Sequence, residues 1–140
     1  MFITRATRHD RDDIQELLSA QGWTGSDLSE GVTYFARDGG VIGCVRLIEV
    51  EPQTVVVDDV LVAEPRRGEG IGRDLMKAAM SALGGKLYLC CHDEHVAFYE
   101  SFGFSLLDKA ALPEKVSAYL DRAGDLDPGP DHVHHFMTAR

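Results

Sequence analysis

The stretch that most constrains this chain runs from Val60 to Leu75. An apolar strand, Val60-Leu61-Val62, passes through Ala63-Glu64-Pro65-Arg66-Arg67 into Gly68, Gly70 and Gly72, and a helical pattern opens directly behind them. Ile71, Leu75, Met76, Ala79 and Leu83 recur at the spacing of one helix face. Glycines this dense let the backbone pass close to a ligand and turn N–H groups inward. The helix start adds unpaired amide donors and the positive end of its dipole. Strand, glycine turn and helix together make an anion cradle, of the kind that takes a phosphate or pyrophosphate.

Spacing decides which cradle. A dinucleotide fingerprint requires G-x-G-x-x-G, but counted from Gly68 the last glycine position holds Arg73, and counted from Gly70 it holds Leu75. A P-loop requires Gly-Lys-Ser/Thr at its end, which the chain lacks. Arg67-Gly68-Glu69-Gly70-Ile71-Gly72 fits Arg/Gln-x-x-Gly-x-Gly/Ala after a hydrophobic strand. That pattern resembles the acetyl-CoA pyrophosphate loop of the GCN5-related N-acetyltransferase (GNAT) superfamily. A second block, Ala97-Phe98-Tyr99-Glu100-Ser101-Phe102-Gly103-Phe104, is similar to the A-x-F-Y-x-x-x-G-F segment of the same family. The asparagine often found a few residues before that tyrosine is missing, and His92 and His95 occupy the region instead.

The order of elements agrees with the resemblance. Phe2–Ala6 reads as a strand, and Thr7 with Asp10 as a helix cap. Ile14, Leu17, Leu18 and, less regularly, Trp23 mark the buried face of a first helix, and 22–31 is a connection with room for a short second one. Thr33–Arg37, Val41–Val50 and Thr54–Val62 read as strands, the first two joined through Asp38-Gly39-Gly40. The helix behind Gly70 is stopped by Gly84-Gly85. A strand at Lys86–Cys90, a short helix at Glu94–Ser101, a strand at Phe104–Leu107, a helix over Ala110–Arg122 and a last strand at His132–Ala139 follow. The resemblance thus implies a single GNAT domain over residues 1–140. Its α/β (α+β) architecture has a central mixed, mostly antiparallel sheet of six to seven strands, with flanking helices and a splay at the acetyl-CoA site.

Site residues follow by the same resemblance. The backbone at Leu61 and Val62 faces the acetyl and pantetheine part, with the Val62 amide as donor to the thioester carbonyl. Arg67, Gly68, Gly70 and Gly72 hold the pyrophosphate, helped by the amides of Ile71 and Arg73. Tyr99 protonates the departing thiolate; packing beside Phe98 and Phe102 is the alternative role for its ring. A neutral amine attacks directly, so its proton must go to a carboxylate or to water. Asp58 and Asp59 are the candidates, because two adjacent acids are unexpected within Val55–Val60 and only one can face a given side of the strand. A bulge cap and a solvated surface acid is the other reading of the pair. Glu49 and Glu51 are weaker candidates, and His134 or His135 remains open as a base or substrate contact.

Composition sets outer bounds. The chain has 140 residues, 44% hydrophobic and 26% charged, ordinary values for one globular domain. No apolar run reaches the ~20 residues of a membrane span, and the first residues lack a signal-peptide core, so a cytoplasmic location is expected. A net charge of −9 disfavours nucleic acid and anionic membranes and favours cationic partners. Cys44, Cys90 and Cys91 are expected as free buried thiols, the last two on opposite faces of a strand. Neither Cys90, Cys91, His92 and His95 nor His132, His134 and His135 has a closed-site spacing, so no metal is expected. The expected activity is acetyl-CoA-dependent N-acetylation of a primary amine, on a small cationic molecule or on a peptide or protein. A catalytically silent CoA-binding sensor or assembly module is the alternative, and a homodimer through the last strand stays open.

Overall fold

The computed structural model describes all 140 residues. Seven strands form one sheet: β1 (Phe2–Arg5), β2 (Val32–Asp38), β3 (Gly40–Glu51), β4 (Thr54–Val62), β5 (Lys86–His92), β6 (Ser105–Leu107) and β7 (His134–Ala139). Their order across it is β1-β2-β3-β4-β5-β7-β6. β1 with β2, β2 with β3, β5 with β7 and β6 with β7 are antiparallel, and β4 with β5 is parallel. The helices are α1 (Arg11–Ala20), α2 (Ile71–Ala82), α3 (Val96–Glu100) and α4 (Glu114–Arg122). None is long and apolar enough to cross a membrane.

The chain forms two compact units. The first comprises 1–48 and 57–84. Ile14 and Leu18 of α1 are fully buried against Phe35, Cys44 and Leu61, with Ala6, Leu17, Leu28 and Val41 packed around them. Ile71, Leu75, Met76 and Ala79 of α2 are buried as their spacing requires. α2 comes close because position 43 is glycine: a Cβ there would lie 2.9 Å from Leu75 Cδ1 and 3.2 Å from the Leu61 carbonyl oxygen.

The second unit comprises 49–56 and 85–140. Its core joins Leu87 and Leu89 of β5, Val116 and Leu120 of α4, and Met137 of β7, each at most 1% exposed. The parallel ladder spans three pairs, Thr54↔Lys86, Val55↔Leu87 and Val56↔Tyr88. It is short beside strands of nine and seven residues. It starts at Gly85, where φ is +91° and a Cβ would lie 2.6 Å from the Gln53 carbonyl oxygen, the group that accepts the Lys86 N–H.

Four sequence expectations are corrected. The connection 22–31 holds turns and no helix. Asp27 Oδ1 there accepts the Ser29 N–H at 2.9 Å, a side-chain bond that competes with helical pairing. Trp23, expected on the buried face of α1, lies beyond its end and is 40% exposed. The helix expected over Ala110–Arg122 is split into a 3-10 turn at Lys109–Ala111 and α4, because Pro113 forces the preceding Leu112 into extended backbone. The last strand begins at His134, not His132. The Thr7–Asp10 capping box is present and opens a 3-10 turn, Arg8–Asp10, that leads into α1.

Candidate active site

β4 delivers the glycine loop. After Val62 the chain leaves the sheet through a 3-10 turn, Glu64–Arg66, with Pro65 at its start. The Ala63 N–H still bonds the Ile42 carbonyl at 2.8 Å, so the exit is fixed to β3. Gly68 and Gly70 both lie in the left-handed region, at φ +84° and +85°. Gly70 is the N-cap of α2 and offers no side chain to the first amides of the helix. A Cβ on either glycine would meet nothing within 4 Å. Open space at an uncapped, positively polarised helix start suits an anion approaching the backbone. A twelve-residue α2 is long enough for that dipole to count.

The side chains of the loop are already engaged. Arg67 Nε donates to the Val62 carbonyl at 2.9 Å, and Nη2 to Gln21 Oε1 at 3.2 Å. Arg66 reaches Glu69 and Asp38, and these bonds raise its pKa above the ordinary arginine value. Arg73 and the 67–70 stretch are exposed. Leu61 has its side chain in the core at 6% exposure, so its backbone is the part left to face a ligand, while Val62 is half-buried.

Asp58 and Asp59 meet on one arginine. Arg46, 3% exposed in the middle of β3, donates from Nε to Asp59 Oδ2 at 2.8 Å, and its Nη2 lies 3.7 Å from Asp58 Oδ2. Asp59 is 8% exposed, accepts the Ser26 hydroxyl at 2.8 Å, and has φ +51°. Its pKa is raised by burial and by the Asp58 charge, against the opposing pull of Arg46 and Ser26. The Asp58 side chain keeps 26% of its surface exposed.

Tyr99 lies in the second unit, on α3, and is 8% exposed. Its ring makes edge contacts with Phe98 at 5.1 Å and Phe104 at 6.0 Å. The same unit collects the histidines: His92 and His134 have ring centroids 5.0 Å apart, His134 Nδ1 meets the Asp125 carbonyl, and His135 Nε2 meets Asp93 Oδ1 at 3.0 Å. Cys44 and Cys91 are buried free thiols, whereas Cys90 is half-buried. Burial, helped by Asp93, pushes the Cys91 thiol up to about 11, so it is not a thiolate near neutrality.

Sequence reasoning missed Arg46, Ser26 and Cys44 as partners of the acid pair. The signal was present: one arginine interrupts the run Val41-Ile42-Gly43-Cys44-Val45-Arg46-Leu47-Ile48, one strand before two unexpected acids. A charge in each of two adjacent buried strands points to a pair.

Comparison with known proteins bears on this geometry. The sequence profile of the family described as acetyltransferase (GNAT) domain matches residues 29–106. A mouse protein, N-alpha-acetyltransferase 80, is 39% identical over 72 residues, covering 47% of this chain and 23% of that protein. The chain therefore spans about a quarter of that relative. A Mycobacterium tuberculosis protein solved in complex with CoA superposes with a TM-score of 0.72 at 16% identity, over 99% of this chain and 98% of that one. N-acetylglutamate synthase from Neisseria gonorrhoeae, solved with CoA and N-acetyl-glutamate, superposes with a TM-score of 0.73 at 18% identity, over 100% of this chain and 35% of that one. Those superpositions establish a shared fold. The profile takes in β3, β4, the glycine loop, α2, β5 and α3, more than half of the chain, and the protein therefore belongs to the GNAT acetyltransferase family.

Proposed function

We propose that this protein is an N-acetyltransferase that moves the acetyl group of acetyl-CoA to a primary amine by direct attack. The observation that carries the reading is the left-handed Gly68 and Gly70 pair at the uncapped start of α2, directly behind β4. That arrangement fits a pyrophosphate, with the backbone of Gly68, Gly70, Ile71, Gly72 and Arg73 as its donors and Arg67 beside them. CoA in complex with the mycobacterial and neisserial proteins of the same fold supports acetyl-CoA as the cosubstrate.

In this mechanism the amine nitrogen forms a bond to the acetyl carbon, and the carbon–sulfur bond then breaks. The Val62 amide stabilises the oxyanion that develops between the two events. Tyr99 gives its phenol proton to the departing sulfur. The proton lost by the amine goes to Asp58, directly or through water, because Asp59 is committed to Arg46 and Ser26 while Asp58 keeps contact with solvent. The acceptor is a small cationic amine or the amine of a peptide or protein, in keeping with a net charge of −9 and with the N-alpha-acetyltransferase name of the mouse relative.

Isothermal titration with acetyl-CoA, followed by thiol release on adding polyamines, amino acids and peptides with free N-termini, tests the reading. Binding with amine-dependent thiol release is the expected result. Binding without release from any amine favours a CoA-binding sensor, and absence of binding removes the assignment of the glycine loop.

A further inference from the structure

Asp59 lies within β4 with a left-handed backbone, φ +51°. A non-glycine residue keeps such a conformation only where its surroundings over-determine it. Here every polar group of the residue has a side-chain partner. Its N–H donates to Asp58 Oδ1 at 2.8 Å, its carbonyl accepts the Cys44 thiol at 3.3 Å, Oδ1 accepts Ser26 Oγ at 2.8 Å and Oδ2 accepts Arg46 Nε at 2.8 Å.

Arg46 carries the connection further. Its Nη1 donates to the carbonyls of Asp27 and Glu30, at 2.9 and 3.0 Å, and lies 3.9 Å from the Glu30 carboxylate. One buried guanidinium therefore joins the left-handed residue of β4 to two carbonyls of the connection between α1 and β2. A lysine has no fixed fork with which to hold two carbonyls and a carboxylate in different directions. We propose that Arg46 is a positioning residue for acyl transfer: it locks the 26–30 connection onto the left-handed Asp59 of β4, so that Val60–Val62 is presented in one geometry and the connection cannot open independently. The kinetic part of this proposal rests on the acetyltransferase reading; the mechanical part does not.

A competing account makes Arg46 only a counter-charge for buried acids, a role that neutral residues can replace. Two variants separate the accounts. Arg46→Lys keeps the charge and loses the fork. The pair Arg46→Gln with Asp59→Asn removes both charges while leaving residue 59 able to adopt a left-handed backbone. For each, and for Arg46→Gln alone as the reference, amide hydrogen exchange of residues 26–31, acetyl-CoA affinity, kcat and urea unfolding are measured.

In Arg46→Lys, exchange at 26–31 should rise and kcat should fall, each by about tenfold or more, the scale of a lost charge-assisted hydrogen bond. Acetyl-CoA affinity should stay within about threefold, because the Arg46 hydrogen bonds go to Asp59, Asp27 and Glu30, outside the glycine loop. The double variant should regain unfolding stability relative to Arg46→Gln alone, without regaining loop protection or kcat. Unchanged exchange at 26–31 in a folded Arg46→Lys protein overturns the proposal, as does a double variant that recovers protection together with stability. Were no amine ever acetylated, the function would fail while the exchange measurements still decided the clamp.

Discussion

Arg67 Nε donates to the carbonyl of Val62 at 2.9 Å, tying the head of the glycine loop to the last residue of β4. The bond closes a four-residue excursion through Ala63, Glu64, Pro65 and Arg66. It leaves the loop anchored at one end by a guanidinium and at the other by the first turn of α2. The loop and the strand that precedes it therefore do not move independently, although the loop is exposed from Arg67 to Gly70.

Arg67→Ala should weaken acetyl-CoA binding by about 10-fold to 100-fold, as expected for loss of one charge-assisted hydrogen bond together with one cation beside the pyrophosphate. Arg67→Lys should recover only part of this, because an ammonium cannot serve the Val62 carbonyl and Gln21 from a planar fork. Titration calorimetry of both variants checks it, and equal affinities for wild type and alanine would remove Arg67 from the cradle.

Gly70 separates backbone strain from charge. Gly70→Ala meets open space but must hold φ +85°, so it should cost about 1–2 kcal/mol of stability and leave weakened acetyl-CoA binding measurable. Gly70→Asp adds a carboxylate where the pyrophosphate is expected, and binding should vanish while the unfolding midpoint stays close to that of the alanine variant. An aspartate variant that binds as well as the alanine variant would show that no anion sits there.

The strands and α2 were legible because their signals are local. β4 was expected over Thr54–Val62 and is found there, since its β-branched run is bounded by Gln53 and Ala63. What escaped depends on contacts distant in sequence. Ser26 and Asp59 are 33 positions apart, and nothing near Ser26 announces its partner. Trp23 failed differently: helical periodicity was extended beyond Ala20, where the chain turns through Gly22 at φ +85° and leaves the indole outside. Pro113 was visible throughout, yet helix propensity on both sides masked the break it imposes.

Tyr99→Phe retains the ring that packs on Phe98 and Phe104, so its fold and acetyl-CoA affinity should survive. If the phenol is the acid for the thiolate, kcat should fall roughly 10²–10⁴-fold. Stopped-flow thiol release from the variant and wild type makes the comparison. A change below about threefold would leave Tyr99 as a packing residue and require another proton source.

Asp59 gives a pH signature with a definite sign. Burial and the Asp58 charge raise its pKa above the ordinary 3.8, in spite of Arg46 and the Ser26 hydroxyl. The native state therefore holds this proton more tightly than the unfolded chain does. Its contribution is fully present below the unfolded value and is lost as pH rises through the folded one. Asp59→Asn has no such titration. The stability of wild type relative to Asp59→Asn should consequently decrease as pH rises above about 4, measured by urea unfolding at closely spaced pH values. Arg46 would produce the opposite slope if its attraction outweighed burial, because a carboxylate stabilised in the native state gains from rising pH. A difference that instead increases as pH rises toward about 4, and is flat above it, would thus show that the guanidinium, and not burial beside Asp58, governs the charge of Asp59.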